Sequence, residues 1–392
     1  MSEFEIRSGS PEIWPAVAEM VADTFFGDFT REDGVDFWHT MPNEPNFDWE
    51  HVRVGMVGDQ LAAHVMFVLR ELRVGRATLT FGGISAVMTH PDHRRYGYAG
   101  QLMQDALRVM RERGLHLTLL DGISRYYDRF GYATVWPSYS TRFAVNEAVR
   151  VPEDAVGGYV VRPLEEEDLP ALLMLYKGEW RERPWYGPRT IEWLRWRLSP
   201  QLASGEPYTW VVSDPAGVVR GYSSGFKLDN RTEVICADRQ ATAALLRHTA
   251  DRLATEPDKT VTWLDLPNTR TSRHVLEFCV TNFQMWDSQF GGWMGALVDV
   301  DAALDALQPE LDARLDAAGT GGGSLAAEGE AIVLSAGAVE ARLPQDVFLK
   351  LLFGRFVPHE IEALPGLDSA AIDLLKRVFP PQQNGLAGLD WF

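Results

Sequence analysis

The sequence predicts an α/β protein in three parts, the first two related to each other. Three observations carry that prediction. The chain has 392 residues, two to three times the roughly 150 of an ordinary domain. A short strand, an acidic turn and a helix with proline in its first turn open the chain and recur at an offset of 155 residues, with Arg7 and Pro15-Ala16 matching Arg162 and Pro170-Ala171. Between the two copies, residues 77–133 alternate strand patterns with one strongly amphipathic helix.

Composition sets the outer bounds. Hydrophobic residues make up 46% and charged residues 23%, which excludes a disordered or fibrous chain. The net charge of −18 repels a polyphosphate backbone, so no nucleic acid is expected as partner, and cationic small molecules or basic peptides are favoured. The two cysteines, Cys236 and Cys279, have no metal-ligand spacing, so no metal is expected and a reducing, cytoplasmic setting fits. No apolar run approaches the roughly 18 residues of a membrane span, so no membrane partner is expected.

The elements follow in order. His51–Phe67 alternates around Gly58-Asp59, and Thr209–Phe226 alternates around Asp214–Gly217, so each reads as a hairpin. Ala77–Phe81 and Ile84–Met88 read as two strands separated by Gly82-Gly83. A helix follows to Arg113, with Ala99, Leu102, Met103, Ala106, Leu107, Val109 and Met110 on one face and Gly114 as its stop. Leu115–Leu120 reads as a strand and Ser124–Phe130 as a short helix ended by Gly131. In the last third, Ala302–Leu315 reads as a helix, Gly319–Ser324 as a flexible turn or linker, Ala331–Ser335 and Ala338–Leu343 as strands, and Pro344–Leu352 as a helix. Trp180, Trp185, Tyr186, Trp193 and Trp196 fall in a helical region and read as core or subunit interface.

The segment with chemical content is the loop before the first-part helix. Arg94-x-x-Gly97-x-Ala99 lets the backbone approach a pyrophosphate, with the free N–H groups of the first helical turn aimed at its oxygens and Arg94 and Arg95 adding charge. Such a match arises by chance on the order of once per few hundred residues. A second one, Gln382–Ala387, precedes no helix and is set aside.

With its flanking strand, helix, strand and aromatic helix, this loop resembles the acetyl-coenzyme A site of GNAT N-acetyltransferases. His93-Arg94-Arg95-x-Gly97 together with Tyr127-Asp128-Arg129-Phe130-Gly131-Tyr132 is similar, more narrowly, to the Eis (enhanced intracellular survival) acetyltransferases. The resemblance implies tandem GNAT-like domains followed by a sterol-carrier-protein-like α+β domain, with boundaries at 1–148, 149–290 and 291–392, and a homohexamer. It implies that Val87, Met88 and Thr89 receive the pantetheine arm. Arg94, Arg95, Tyr96, Gly97, Tyr98, Ala99 and Gly100 would cradle the pyrophosphate, and Gly122 and Ile123 would flank the thioester of acetyl-CoA. Tyr127 would be the general acid and the carboxylate of Phe392 the base, acting on a primary amine of an aminoglycoside-like molecule, a polyamine or a lysine side chain. The family carries an acidic penultimate residue; this chain has Trp391 there and Asp390 one step earlier.

Other readings stand beside these. Phe26, Asp28 and Trp38 suit an ammonium ligand in the acceptor pocket, or equally a capping Asp among core aromatics. Tyr126 or Tyr132 can be simple core. Glu233–Thr242, the counterpart stretch in the second part, lacks the Arg-x-x-Gly-x-Ala loop, which predicts one coenzyme site per chain. The alternative function is a non-catalytic acyl-CoA- or lipid-binding protein.

Overall fold

The computed structural model describes residues 3–26, 31–204, 208–225, 227 and 229–392. The chain divides into two compact units: Met1–Trp136 with Ser288–Gln382 and Phe392, and Pro137–Asp287 with Gln383–Trp391.

The first unit is built on a mixed sheet. Its strands β1 (Phe4–Ser8), β2 (Val52–Val57), β3 (Gln60–Val74), β4 (Ala77–Thr89), β5 (Leu117–Gly122), β6 (Ala133–Trp136) and β7 (Gly292–Leu297) run in the order β1-β2-β3-β4-β5-β7-β6. The β2–β3 hairpin turns at Gly58-Asp59 as the alternation requires. Residues 77–89 form one strand, not two. Gly82 and Gly83 lie inside it because side chains press on them: a Cβ at Gly82 would come within 2.7 Å of Met110, and one at Gly83 within 2.7 Å of the Phe392 ring.

Helices α1 (Trp14–Phe25), α2 (Arg31–His39) and α3 (Tyr98–Glu112) complete the part of this unit that matters for the site. The apolar stripe of α3 packs on the sheet, burying Leu102, Met103, Ala106, Val109 and Met110. Each of the larger side chains among them contributes about 1.5–3 kcal/mol by leaving water. The helix stops in a Schellman turn: Leu115 N–H donates to Met110 O and Gly114 N–H to Arg111 O, both at 3.0 Å, with Gly114 at φ +70°. The helix expected over Ser124–Phe130 is only a 3₁₀ turn, Asp128–Phe130, closed by Gly131 at φ +85°. The expected linker Gly319–Ser324 runs into a strand, Gly323–Glu328, which joins Ala331–Ala336 and Val339–Pro344 in a meander between the helix Val300–Ala317 and three short helices.

The second unit repeats the arrangement. The strands Val160–Pro163, Thr209–Ser213, Val219–Ser224 and Glu233–Cys236 lie side by side in the chain order of β1–β4. The strand Ser138–Ala144 is sandwiched between Thr260–Trp263 and Thr281–Trp286, just as β7 is sandwiched between β5 and β6. Each repeat is thus completed by a strand that follows the other in sequence. Trp180, Trp185, Tyr186, Trp193 and Trp196 are all buried in this unit.

Candidate active site

The site is a wedge between β4 and β5. These parallel neighbours pair only at Phe81↔Leu117, Gly82↔Thr118 and Gly83↔Leu119. Past that point they part, and β4 continues to Thr89 on β3 alone. A bulge sharpens the separation: Ala86 and Val87 stand opposite the single residue Val65, and Ala86 takes φ +49°. The bulge is held from below. His64, fully buried, donates its Nδ1–H to Ala86 O at 2.9 Å; the carbonyl can only accept, so the proton belongs on Nδ1. Burial pushes the His64 pKa down to about 4, so the ring is neutral.

At the mouth of the wedge stands the predicted loop. Arg95 at φ +72° and Gly97 at φ +79° bend the chain into α3, for which Gly97 is the N-cap. The first helical bond is Gln101 N–H to Gly97 O, 3.1 Å, so the N–H groups of Tyr98, Ala99 and Gly100 point out of the helix end. A Cβ at Gly100 would meet the Arg129 guanidinium at 3.6 Å and the Phe130 ring at 3.8 Å, ordinary contact distances, so crowding by side chains does not require this glycine. Arg94 and Arg95 are exposed and, among the described residues, make no ion pair. Tyr96 is exposed, whereas Tyr98 stacks on Phe4 with ring centroids 3.9 Å apart. This arrangement offers oriented N–H dipoles and two cations to an anion.

On the β4 side, Val87 and Thr89 are half-buried and Met88 is buried. On the β5 side, Gly122 ends the strand and Ile123 is exposed. Gly122 admits Tyr127: a Cβ there would come within 2.8 Å of the Tyr127 ring. Tyr127 is buried, and burial, with smaller contributions from Tyr126 and Asp121, pushes its hydroxyl up to about 12. Tyr132 is core, its hydroxyl bonded to Thr118 Oγ1 at 2.9 Å. The ring of Phe392 lies on Gly83, at the point where the strands part, flanked by Phe81 and Trp293 with centroids 5.9 and 5.8 Å away.

The structure describes two of the three expected acceptor residues. Trp38 is buried between Trp14 and His64, with its carbonyl accepting from Trp14 Nε1 at 3.1 Å. Phe26 packs on Gly34 of α2. Asp28 lies outside the described residues. His64 went unread in the sequence; a histidine in an apolar strand is its only signal.

In the second unit, Arg239–Arg252 is the counterpart of α3, and its N-terminus is occupied by the protein itself. Asp238 accepts from Ala241 N–H at 2.9 Å and is held by Arg220 at 3.0 Å and Tyr159 at 3.2 Å. A carboxylate therefore sits where an incoming anion would need to bind. Among the described residues, no group of three or more His, Cys, Asp or Glu could hold a metal, and no helix is long and apolar enough to cross a membrane.

Comparison with known proteins points to the same part of the chain. The acetyltransferase (GNAT) domain family matches residues 5–135. Among curated proteins, none matches this chain in sequence. Solved structures share the fold over nearly the whole length, among them the following three. A GCN5-related N-acetyltransferase from Anabaena variabilis is 16% identical, with 100% of each chain covered and a TM-score of 0.65. A protein of unknown function from Enterococcus faecalis, described as a probable N-acyltransferase, is 13% identical, with 97% and 98% covered and a TM-score of 0.68. Eis1 from Mycobacterium abscessus is 17% identical, with 98% and 99% covered and a TM-score of 0.59. Residues 5–135 of this chain form a GNAT acetyltransferase domain, and the chain is an acyltransferase.

Proposed function

We propose that the chain is an Eis-type N-acetyltransferase that moves an acetyl group from acetyl-CoA to a primary amine, with Tyr127 as general acid and the carboxylate of Phe392 as base. One observation carries this reading: the wedge between β4 and β5 has an anion-binding loop at its mouth, and the Phe392 ring at its vertex. The residues fit acetyl-CoA. Its pyrophosphate has the N–H groups of Tyr98–Gly100 with Arg94 and Arg95, and its extended arm has the β4 edge at Val87–Thr89, which β5 leaves unpaired. Bound there, acetyl-CoA supplies an activated acyl group to an attacking amine.

The protein's part is positioning and proton handling. The amine must shed a proton as it attacks, and the departing sulfur gains from receiving one. Tyr127, held neutral by burial, is a phenol that can donate through the whole physiological range. A terminal carboxylate, ordinarily near pKa ~3.5, attracts a cationic amine and takes up its proton within a closed site. The self-capped helix of the second unit supports one coenzyme per chain. The helix, three-stranded meander and short helices of residues 300–379 support a sterol-carrier-like reading of that part. A homohexameric, cytoplasmic enzyme follows from the same Eis-type reading.

The test is turnover of acetyl-CoA with a panel of aminoglycosides, polyamines and lysine peptides. Tyr127→Phe is expected to lower kcat by about 10²-fold or more, and one residue added after Phe392 is expected to do the same by moving the carboxylate. Unchanged turnover in both variants removes the mechanism.

A further inference from the structure

One buried side chain of the first unit carries a cost that packing does not explain. His64 is 0% exposed and lies beside Trp14 and Trp38, with ring centroids 6.5 and 6.1 Å away. With its proton on Nδ1, the ring keeps a bare Nε2, and that atom is buried with no hydrogen-bond partner. A polar atom buried unpaired is unfavourable, and leucine would fill the same apolar space without it. Among the described residues, the ring makes one hydrogen bond, the one at 2.9 Å to Ala86 O.

Ala86, at the other end of that bond, is unfavourable in its own right. A residue with a Cβ is strained at φ +49° and stays there only where its surroundings hold it. Two local penalties therefore converge on a single contact between β3 and β4. What the contact fixes is a direction. A trans peptide points its C=O and the next N–H opposite ways. Drawing Ala86 O toward His64 on β3 turns the Val87 N–H away from β3, to the side that β5 has left. Val87 is also where the β4 edge expected to receive the coenzyme arm begins.

We propose that His64 is a positioning residue for the acyl donor: it holds the Ala86–Val87 peptide so that the Val87 N–H faces the wedge and donates to the acyl end of acetyl-CoA. This role rests on the reading that acetyl-CoA lies along β4. The test uses the full-length protein with His64→Asn, His64→Gln and His64→Leu. The asparagine amide nitrogen stands in the place of Nδ1 and keeps the bond to Ala86 O. The glutamine amide reaches instead toward the place of Nε2, and leucine has no donor. Each variant is measured for Tm without ligand, for acetyl-CoA affinity by calorimetry and for kcat. His64→Asn is expected to bind acetyl-CoA within about 3-fold of wild type, and His64→Gln and His64→Leu about 10-fold more weakly. In the latter two kcat is expected to fall by about 10-fold or more, as when an aimed backbone donor is lost. A merely structural histidine would lower Tm in all three and leave the asparagine and glutamine variants with equal affinity. That equality, or wild-type affinity in His64→Leu, overturns the role. Should His64→Leu fail to fold, the asparagine–glutamine pair decides alone. Wild-type protein that binds no acetyl-CoA overturns the acetyl-CoA reading together with this role, whereas tight wild-type binding with equal asparagine and glutamine variants overturns the role alone.

Discussion

Tyr127 and His64 are both buried in the first unit, and burial acts on them in opposite directions along the pH scale. For Tyr127 it raises the pKa from 10 to about 12, so the group stabilises the fold fully below about pH 10 and loses that contribution as pH rises toward 12. For His64 it lowers the pKa from 6.5 to about 4, so its contribution is complete above pH 6.5 and is lost as pH falls toward 4. His51 and His248 are depressed to about 4 for the same first reason, burial. The expected outcome is a Tm that is level from about pH 7 to 9 and falls steeply between 6.5 and 4; a Tm unchanged down to pH 4 contradicts buried neutral imidazoles. Part of the residue scale was legible in sequence. Tyr127 sits in a spacing of aromatics, Phe130 and Gly131 that is hard to meet by chance. His64 left almost no signal, because a lone histidine in an apolar strand announces nothing about the carbonyl it meets 22 residues later.

The loop into α3 is the element where sequence and geometry agree most closely. Gly97 is required by its backbone, φ +79°, and not by crowding, since no atom lies within 4 Å of a Cβ built there. Gly97→Ala is therefore expected to cost about 1–2 kcal/mol of stability from left-handed strain and to raise the KM for acetyl-CoA as the turn relaxes; thermal melts and initial rates check both. The other elements were harder to read because glycine carries two meanings. At Gly82-Gly83 it looks like a break between strands, yet it is a place where Met110 and Phe392 press on a continuous one. At Gly319–Ser324 the glycines look like a linker, yet the strand Gly323–Glu328 begins within them. Ser124–Phe130 has helical composition, but Arg125 at φ +60° ends any helix there before it starts.

The recurrence of strand order shows at the scale of the whole molecule, and so does the one feature that no local pattern encodes. Strand propensity says that 292–297 is extended; it does not say which sheet receives it. That β7 fills the gap between β5 and β6, and that Ser138–Ala144 fills the matching gap in the second unit, follows from unpaired backbone on both sides of each gap needing partners. A fragment of residues 1–136 is expected to be insoluble or molten, with no cooperative melt by circular dichroism, because β5 and β6 lack the strand between them; a soluble, cooperatively folded fragment would contradict this dependence.

The same exchange dictates how the protein can be made. A ribosome releases the chain from its N-terminus, so the first sheet waits, with a slot open, while nearly the entire second repeat is synthesised. Folding can close only once both halves have left the tunnel, and until then the nascent chain carries two bare edges that call for chaperone cover or slow, dilute translation.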